Sequence, residues 1–208
     1  DEAPVDIDKF LQAYNAPGRS ILGKAQTAWL EGELERSLAG GQVWRLLGQQ
    51  VIFAPVDMPD FSAIEKFREF PNLLYVSQRA QEPGRQLPFN PDSWGGYPET
   101  VRQVMDMARK NGDRLIVLTG DTHMSWANEI LDPQGGSLGV EFAAPGVSSP
   151  NLGSYIPDQY QLVEKQMLAK NPHIKYFNAI GRGFMLVDVM PGRIHTEWYY
   201  VEVEEPLG

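Results

Sequence analysis

Two side chains in this sequence combine the right types and spacing for metal chemistry. Asp121 and His123 are separated by one residue, in the stretch Leu115-Ile116-Val117-Leu118-Thr119-Gly120-Asp121-Thr122-His123-Met124-Ser125-Trp126. On an extended or tightly turned backbone, side chains at i and i+2 share a face, so a carboxylate and an imidazole can aim at one point. A hard cation held there would lower the pKa of a bound water and neutralise an anionic substrate. Two ligands do not complete a metal site, because zinc and similar metals take about four and calcium about six to eight. Asp plus His suits iron, zinc or manganese. The competing reading of Asp121 is a helix N-cap.

The elements around the pair must place it. Leu115–Leu118 is a run of aliphatic residues that predicts a buried strand over 114–119, ended by Gly120, whose missing side chain permits a tight approach. A strand that delivers Asp-x-His to its carboxyl end matches how open α/β folds present chemistry at a sheet edge. Upstream, Pro98 and Asn111-Gly112 bracket a helix whose stripe is Val101, Val104, Met105 and Ala108. A second helix is predicted over Lys24–Leu38 and a short one over Ile7–Tyr14, with Val43–Phe53 a strand. Downstream, the pattern predicts strands at Trp126–Leu131, Ser137–Phe142, Ile174–Asn178, Phe184–Val189 and Ile194–Val203, a loop at Gly146–Gly153 and a helix at Asp158–Ala169. Residues 1–18 read as an irregular lead-in around the short helix. Residues 54–96, dense in Pro and weak in periodicity, read as a long surface excursion that could cover an active site. The expected class is mixed α/β, or α+β, with substantial sheet.

Composition narrows the function. The chain has 208 residues, 42% hydrophobic and 22% charged, enough for one domain with a real core. Its net charge of -9 argues against general nucleic-acid binding and against docking on anionic lipid. There is no cysteine, hence no disulfide, thiolate nucleophile or zinc–thiolate site. No run of 18 apolar residues predicts a membrane-spanning helix. The opening Asp1-Glu2-Ala3-Pro4 carries neither Met nor a signal peptide and reads as the interior or a processed piece of a longer protein.

Other candidates compete with plainer roles. His195 alternates with strand residues and reads as structural; His173, in Asn171-Pro172-His173, reads equally as a loop cap or a substrate contact. Glu141 and Asp92 are further candidate ligands, with solvated carboxylates as the alternative. Arg19, Lys24 and Arg182 could contact an anion, with surface charge as the alternative. Nucleophile-elbow, phosphate-loop and dinucleotide-binding glycine motifs are missing.

Taken in order, several blocks resemble the alkaline phosphatase D (PhoD-like) family of metallophosphatases, in its C-terminal half. They are Arg19–Leu30, Trp44–Phe53, Ser93-Trp94-Gly95-Gly96-Tyr97-Pro98 with Arg102 beyond, and Leu118–Trp126. Glu141-Phe142 with Val147-Ser148-Ser149-Pro150, Asn171–Tyr176 and Arg182-Gly183-Phe184 follow. The resemblance spans roughly residues 19 to 200. It implies a calcineurin-like metallophosphoesterase fold, a β-sandwich flanked by helices, with 1–208 the C-terminal part of one catalytic domain. It implies hydrolysis of phosphate monoesters or diesters by a metal-bound hydroxide, with iron and calcium as the metals, and export to the periplasm or medium. Asp121 and His123 carry over as metal ligands, with His173 and Arg182 as candidate substrate contacts. Gly95 stands where the family usually has Asp, so that carboxylate has no counterpart. The family's other ligand segments, a Gly-Asp and a Trp-Asp-Asp-His, belong to an N-terminal half that this sequence lacks. The implied partners are a phosphate ester and that N-terminal half; the chain by itself is expected not to assemble the site. The contrasting expectation is a non-catalytic binding module that keeps the fold.

Overall fold

A computed structural model describes residues 5–202. The acidic opening at Asp1 and the end of the last predicted strand, Val203, lie outside them. Three elements lead in: helix α1 (Ile7–Tyr14), helix α2 (Lys24–Ala39) and strand β1 (Arg45–Gly48). Helix α3 (Pro71–Arg79) and helix α4 (Pro98–Lys110) precede β2 (Leu115–Thr119), β3 (Ser125–Leu131) and β4 (Ser137–Ala143). Helices α5 (Leu152–Tyr155) and α6 (Tyr160–Lys170) lead to β5 (Ile174–Asn178), β6 (Gly183–Met190) and β7 (Arg193–Tyr200).

Five strands form a mixed sheet in the order β1-β2-β4-β3-β5. The pairs β1–β2 and β2–β4 are parallel, whereas β3 runs antiparallel to both β4 and β5. Therefore β1, β2, β4 and β5 all point the same way, and the chain leaving each one emerges at the same sheet edge. This is the mixed α/β class expected from the sequence.

One sheet face carries the core. Leu115 and Val117 of β2 and Ile130 of β3 pack with Leu30, Leu34, Val101, Val104 and Ala108 of α2 and α4. Further along the same face, Trp126 and Phe177 pack with Val163 and Met167 of α6. The predicted stripe of α4 is its buried face, and Pro98 opens that helix at its first turn. On α2 the buried residues are Leu30 and Leu34, while Trp29 and Leu38 are exposed.

The hairpin β6–β7 is a separate two-stranded sheet. It lies across the opposite face, where the Trp198 ring meets Phe142 and Tyr176 and its Nε1 donates to the Ala143 carbonyl at 2.9 Å. Among the described residues this hairpin is the whole of any second layer. Its outer side leaves Phe184 and Leu186 about half exposed, at 52% and 50%.

Two expectations change. The strand predicted over Val43–Phe53 ends at Gly48, because the Gln49 side chain takes over the backbone: its Oε1 accepts from Val51 N at 3.0 Å and its Nε2 donates to the Val51 carbonyl. The region 54–96 is not a surface excursion. Val56, Met58, Phe61, Ile64, Phe67 and Leu87 are buried in the core, and the region holds α3 and two short 3-10 turns, Glu65–Glu69 and Trp94–Gly96. Its apolar residues follow no single period because irregular chain, not a regular face, wraps the sheet end.

Candidate active site at the carboxyl edge of the sheet

Segments following β1, β2, β4 and β5 meet at one edge. Gln49 and Gln50 follow β1, Asp121 to His123 follow β2, Gly146 to Pro150 follow β4, and Arg182 follows β5. Asp121 and His123 come off the edge in a turn, not a strand or a helix. The Thr122 amide donates to the Gly120 carbonyl at 2.7 Å, and β3 begins at Ser125, so the N-cap reading of Asp121 fails. Left-handed backbone falls on Asp121 (φ 62°) and His123 (φ 58°), not on Gly120. Non-glycine residues rarely adopt this region, and they concentrate at functional sites.

Surrounding contacts hold the turn. Gly120 N donates to the Gln50 carbonyl at 3.1 Å and Ala144 N to the Thr119 carbonyl at 2.9 Å. The buried Trp126 indole donates to Thr122 Oγ1 at 3.0 Å. Gly146 sits directly against His123, since a Cβ at that glycine would stand 3.3 Å from the His123 Cβ.

Each functional side chain is held by one atom. Asp121 Oδ1 accepts from Gln50 Nε2 at 3.2 Å, and His123 Nδ1 lies 2.8 Å from the Pro150 carbonyl. A carbonyl only accepts, so Nδ1 carries the proton and the Nε2 lone pair is left for another partner. Among the described residues neither Asp121 Oδ2 nor His123 Nε2 has a hydrogen-bond partner. A carboxylate and an imidazole that each keep one acceptor atom free are donor types able to bind a metal. They form a partial set, because no three His, Cys, Asp or Glu residues cluster to hold a metal among the described residues.

Arg182 reaches the same edge. Gly183 N donates to the Gly146 carbonyl at 3.1 Å, and Gly146 packs on His123, while Arg182 Nη2 donates to Ser154 Oγ at 3.1 Å. Asn151 ties this corner together, capping α5 through Ser154 and donating to the Ile180 carbonyl at 2.8 Å.

The other sequence candidates lie elsewhere. His173 precedes β5 and so sits at the opposite edge; its carbonyl accepts from Glu129 N, four residues along β3 from Ser125, ~13 Å at strand rise. There it lines a cleft of about 580 Å³ with Tyr14, Asp57 and Glu129, and burial pushes its pKa down. That cleft is roomy but is not where Asp121 and His123 are. Glu141 is neither a ligand nor solvated: it is fully buried and accepts from Phe53 N (2.7 Å), Ala54 N (3.0 Å) and Asn128 Nδ2 (2.9 Å). Asp92 is exposed in a turn before Trp94, and Lys24 is exposed at the start of α2. Arg19 is structural, donating to the Tyr14 and Gly96 carbonyls and lying over the Tyr97 ring. His195 pairs with Glu197 on the exposed hairpin. Gln50 was not legible as a site residue; its one signal is its place just past a strand that parallels β2.

The fold is a mixed α/β sheet flanked by helices, and sequence comparison names the family. The PhoD-like phosphatase family matches residues 1–198, and the chain belongs to it. Alkaline phosphatase D of Bacillus subtilis (strain 168) is 31% identical over 180 residues, covering 84% of this chain. The chain spans about a quarter of that relative's length, 26%. A solved structure described as that of PhoD superposes with a TM-score of 0.65 at 24% identity, over 91% of this chain and 31% of the other, and supports the fold.

Proposed function

We propose that this chain supplies one edge of a metal-dependent phosphate-ester hydrolase, with Asp121 and His123 as metal ligands. The observation that carries the reading is the pairing of Asp121 and His123 in left-handed conformations, each anchored through one atom with the second atom unpartnered. A bound cation supplies an acidified water and charge neutralisation at the phosphoryl oxygens. Iron with calcium fits the family resemblance, and zinc or manganese fits the donor types.

The chain's own residues then divide the work. Asp121 and His123 hold the cation at the sheet edge. Arg182 offers the adjacent positive charge for a phosphoryl oxygen, in a chain whose net charge of -9 otherwise repels anions. In hydrolysis the water oxygen forms the new P–O bond while the ester P–O bond breaks, and the alcohol leaves with a proton. Monoesters and diesters both fit this step.

The remaining ligands come, in this reading, from an N-terminal part of the same enzyme that packs on the exposed hairpin and completes the sandwich. The half-exposed Phe184 and Leu186 support that placement, as does the small share of the relative's length that the chain spans. The protein is read as periplasmic or secreted from the family resemblance alone.

The test is hydrolysis of p-nitrophenyl phosphate and its bis ester by the full-length protein that contains this segment. Asp121→Ala and His123→Ala abolish turnover, and Arg182→Ala raises KM. Undiminished turnover in both ligand variants would overturn the assignment.

A further inference from the structure

Gln50 touches the Asp121 turn twice. Its carbonyl accepts from Gly120 N at 3.1 Å, and its side-chain Nε2 donates to Asp121 Oδ1 at 3.2 Å. The backbone around Gln50 is clamped on both sides. Gln49 N donates to the Leu118 carbonyl at 3.0 Å, and Gln49 Oε1 accepts from both Val51 N and the Trp94 indole, the latter at 2.9 Å. Beyond it, the amides of Phe53 and Ala54 are bound by the buried Glu141 carboxylate. Gln50 and Asp121 are both exposed side chains, but the backbone that carries Gln50 is held by these contacts, whereas Asp121 stands on a turn.

We infer that Gln50 is a positioning residue for Asp121. The inference rests on the reading of Asp121 as a metal ligand and deepens it. A carboxylate on an exposed turn rotates about its terminal torsion with little restraint. An amide N–H that occupies Oδ1 selects one rotation and leaves Oδ2 free, as the Pro150 carbonyl leaves Nε2 of His123 free. Outer hydrogen bonds of this kind orient ligands, and removing one weakens metal affinity about 10–100-fold. The amide is chemically suited to this: it donates to a carboxylate without adding a charge that would compete for the cation.

The experiment is Mn²⁺ titration of the full-length protein, with free ion read by electron paramagnetic resonance. The proteins compared are the parent, Gln50→Leu, Asp121→Ala and the double variant. Gln50→Leu binds about 10–100-fold more weakly than the parent, and Asp121→Ala more weakly still. The double variant binds as Asp121→Ala does, because Gln50 acts through Asp121. The thermal midpoint of metal-free Gln50→Leu stays at the parent value; if that variant fails to fold, Gln50→Met removes the donor at similar length and carries the same expectation. Parent affinity in the Gln50 variant beside a weakened Asp121→Ala overturns the Gln50 inference alone. So does an equal further loss in the Asp121→Ala background, which would make Gln50 an independent contact. Parent affinity in Asp121→Ala overturns the ligand reading and this inference together.

Discussion

The imidazole Nδ1 of His123 lies 2.8 Å from the carbonyl oxygen of Pro150, in the loop that follows β4. Because that oxygen can only accept, neutral His123 is locked as the Nδ1–H tautomer. Nitrogen-15 NMR of the metal-free protein at neutral pH therefore places the ring proton of His123 on Nδ1. A dominant Nε2–H form would remove the lone pair that the proposed metal needs.

Left-handed backbone at His123 gives a stability comparison. Glycine adopts φ near 58° freely, whereas alanine pays the same Cβ conflict as histidine. Both His123→Gly and His123→Ala lose the Pro150 hydrogen bond, so their difference isolates the backbone. His123→Gly is more stable than His123→Ala by about 1 kcal/mol in denaturant unfolding, although both lose metal. Equal stability would mean that the turn relaxes away from this conformation.

Glu141 predicts a pH dependence of folding. Burial pushes its carboxyl up to about 7 against an ordinary 4.5, with the Phe53 and Ala54 amides and Asn128 acting the other way. A raised carboxyl favours the protonated folded form, so its stability contribution is full below 4.5 and is lost as pH rises to about 7. The loss is on the order of 3 kcal/mol. Unfolding free energy measured from pH 4.5 to pH 7.5 should fall with this component in the parent and lose it in Glu141→Gln. A slope that survives in Glu141→Gln assigns it to another group.

Neighbouring glycines at the Trp94 turn should respond to very different degrees. A Cβ at Gly96 would stand 1.8 Å from the Pro91 carbonyl oxygen, whereas one at Gly95 meets only ordinary contacts from 3.5 Å. Gly96→Ala is destabilised by about 3 kcal/mol or more, and Gly95→Ala by less than about 1 kcal/mol. Thermal unfolding distinguishes them. It also shows whether the Gly95 position can accept a side chain here.

What the sequence revealed follows from how local each feature is. Helix α4 was legible because Pro98, Asn111 and a regular stripe all lie within one segment, and β2 because five consecutive residues are apolar or β-branched. The core role of 54–96 was not, since Phe61, Ile64 and Phe67 are buried by irregular turns that wrap a sheet end. Asp121 and His123 were legible as a pair but not as a left-handed turn. Their supports are distant: Gln50 is 71 residues from Asp121, and the Glu141 partners Phe53 and Ala54 are 88 and 87 residues away. His173 matched a family block, yet strand direction puts it at the far edge. That direction is set by pairings among β3, β4 and β5 that no local pattern encodes.

The central claim is that Asp121 and His123 are ligands to one cation, and metal content tests it most directly. Full-length parent, Asp121→Ala and His123→Ala proteins, purified identically, would be compared by inductively coupled plasma mass spectrometry after dialysis. The account predicts that both variants lose bound metal relative to the parent while retaining its circular dichroism spectrum. Parent-level metal in both variants would contradict it.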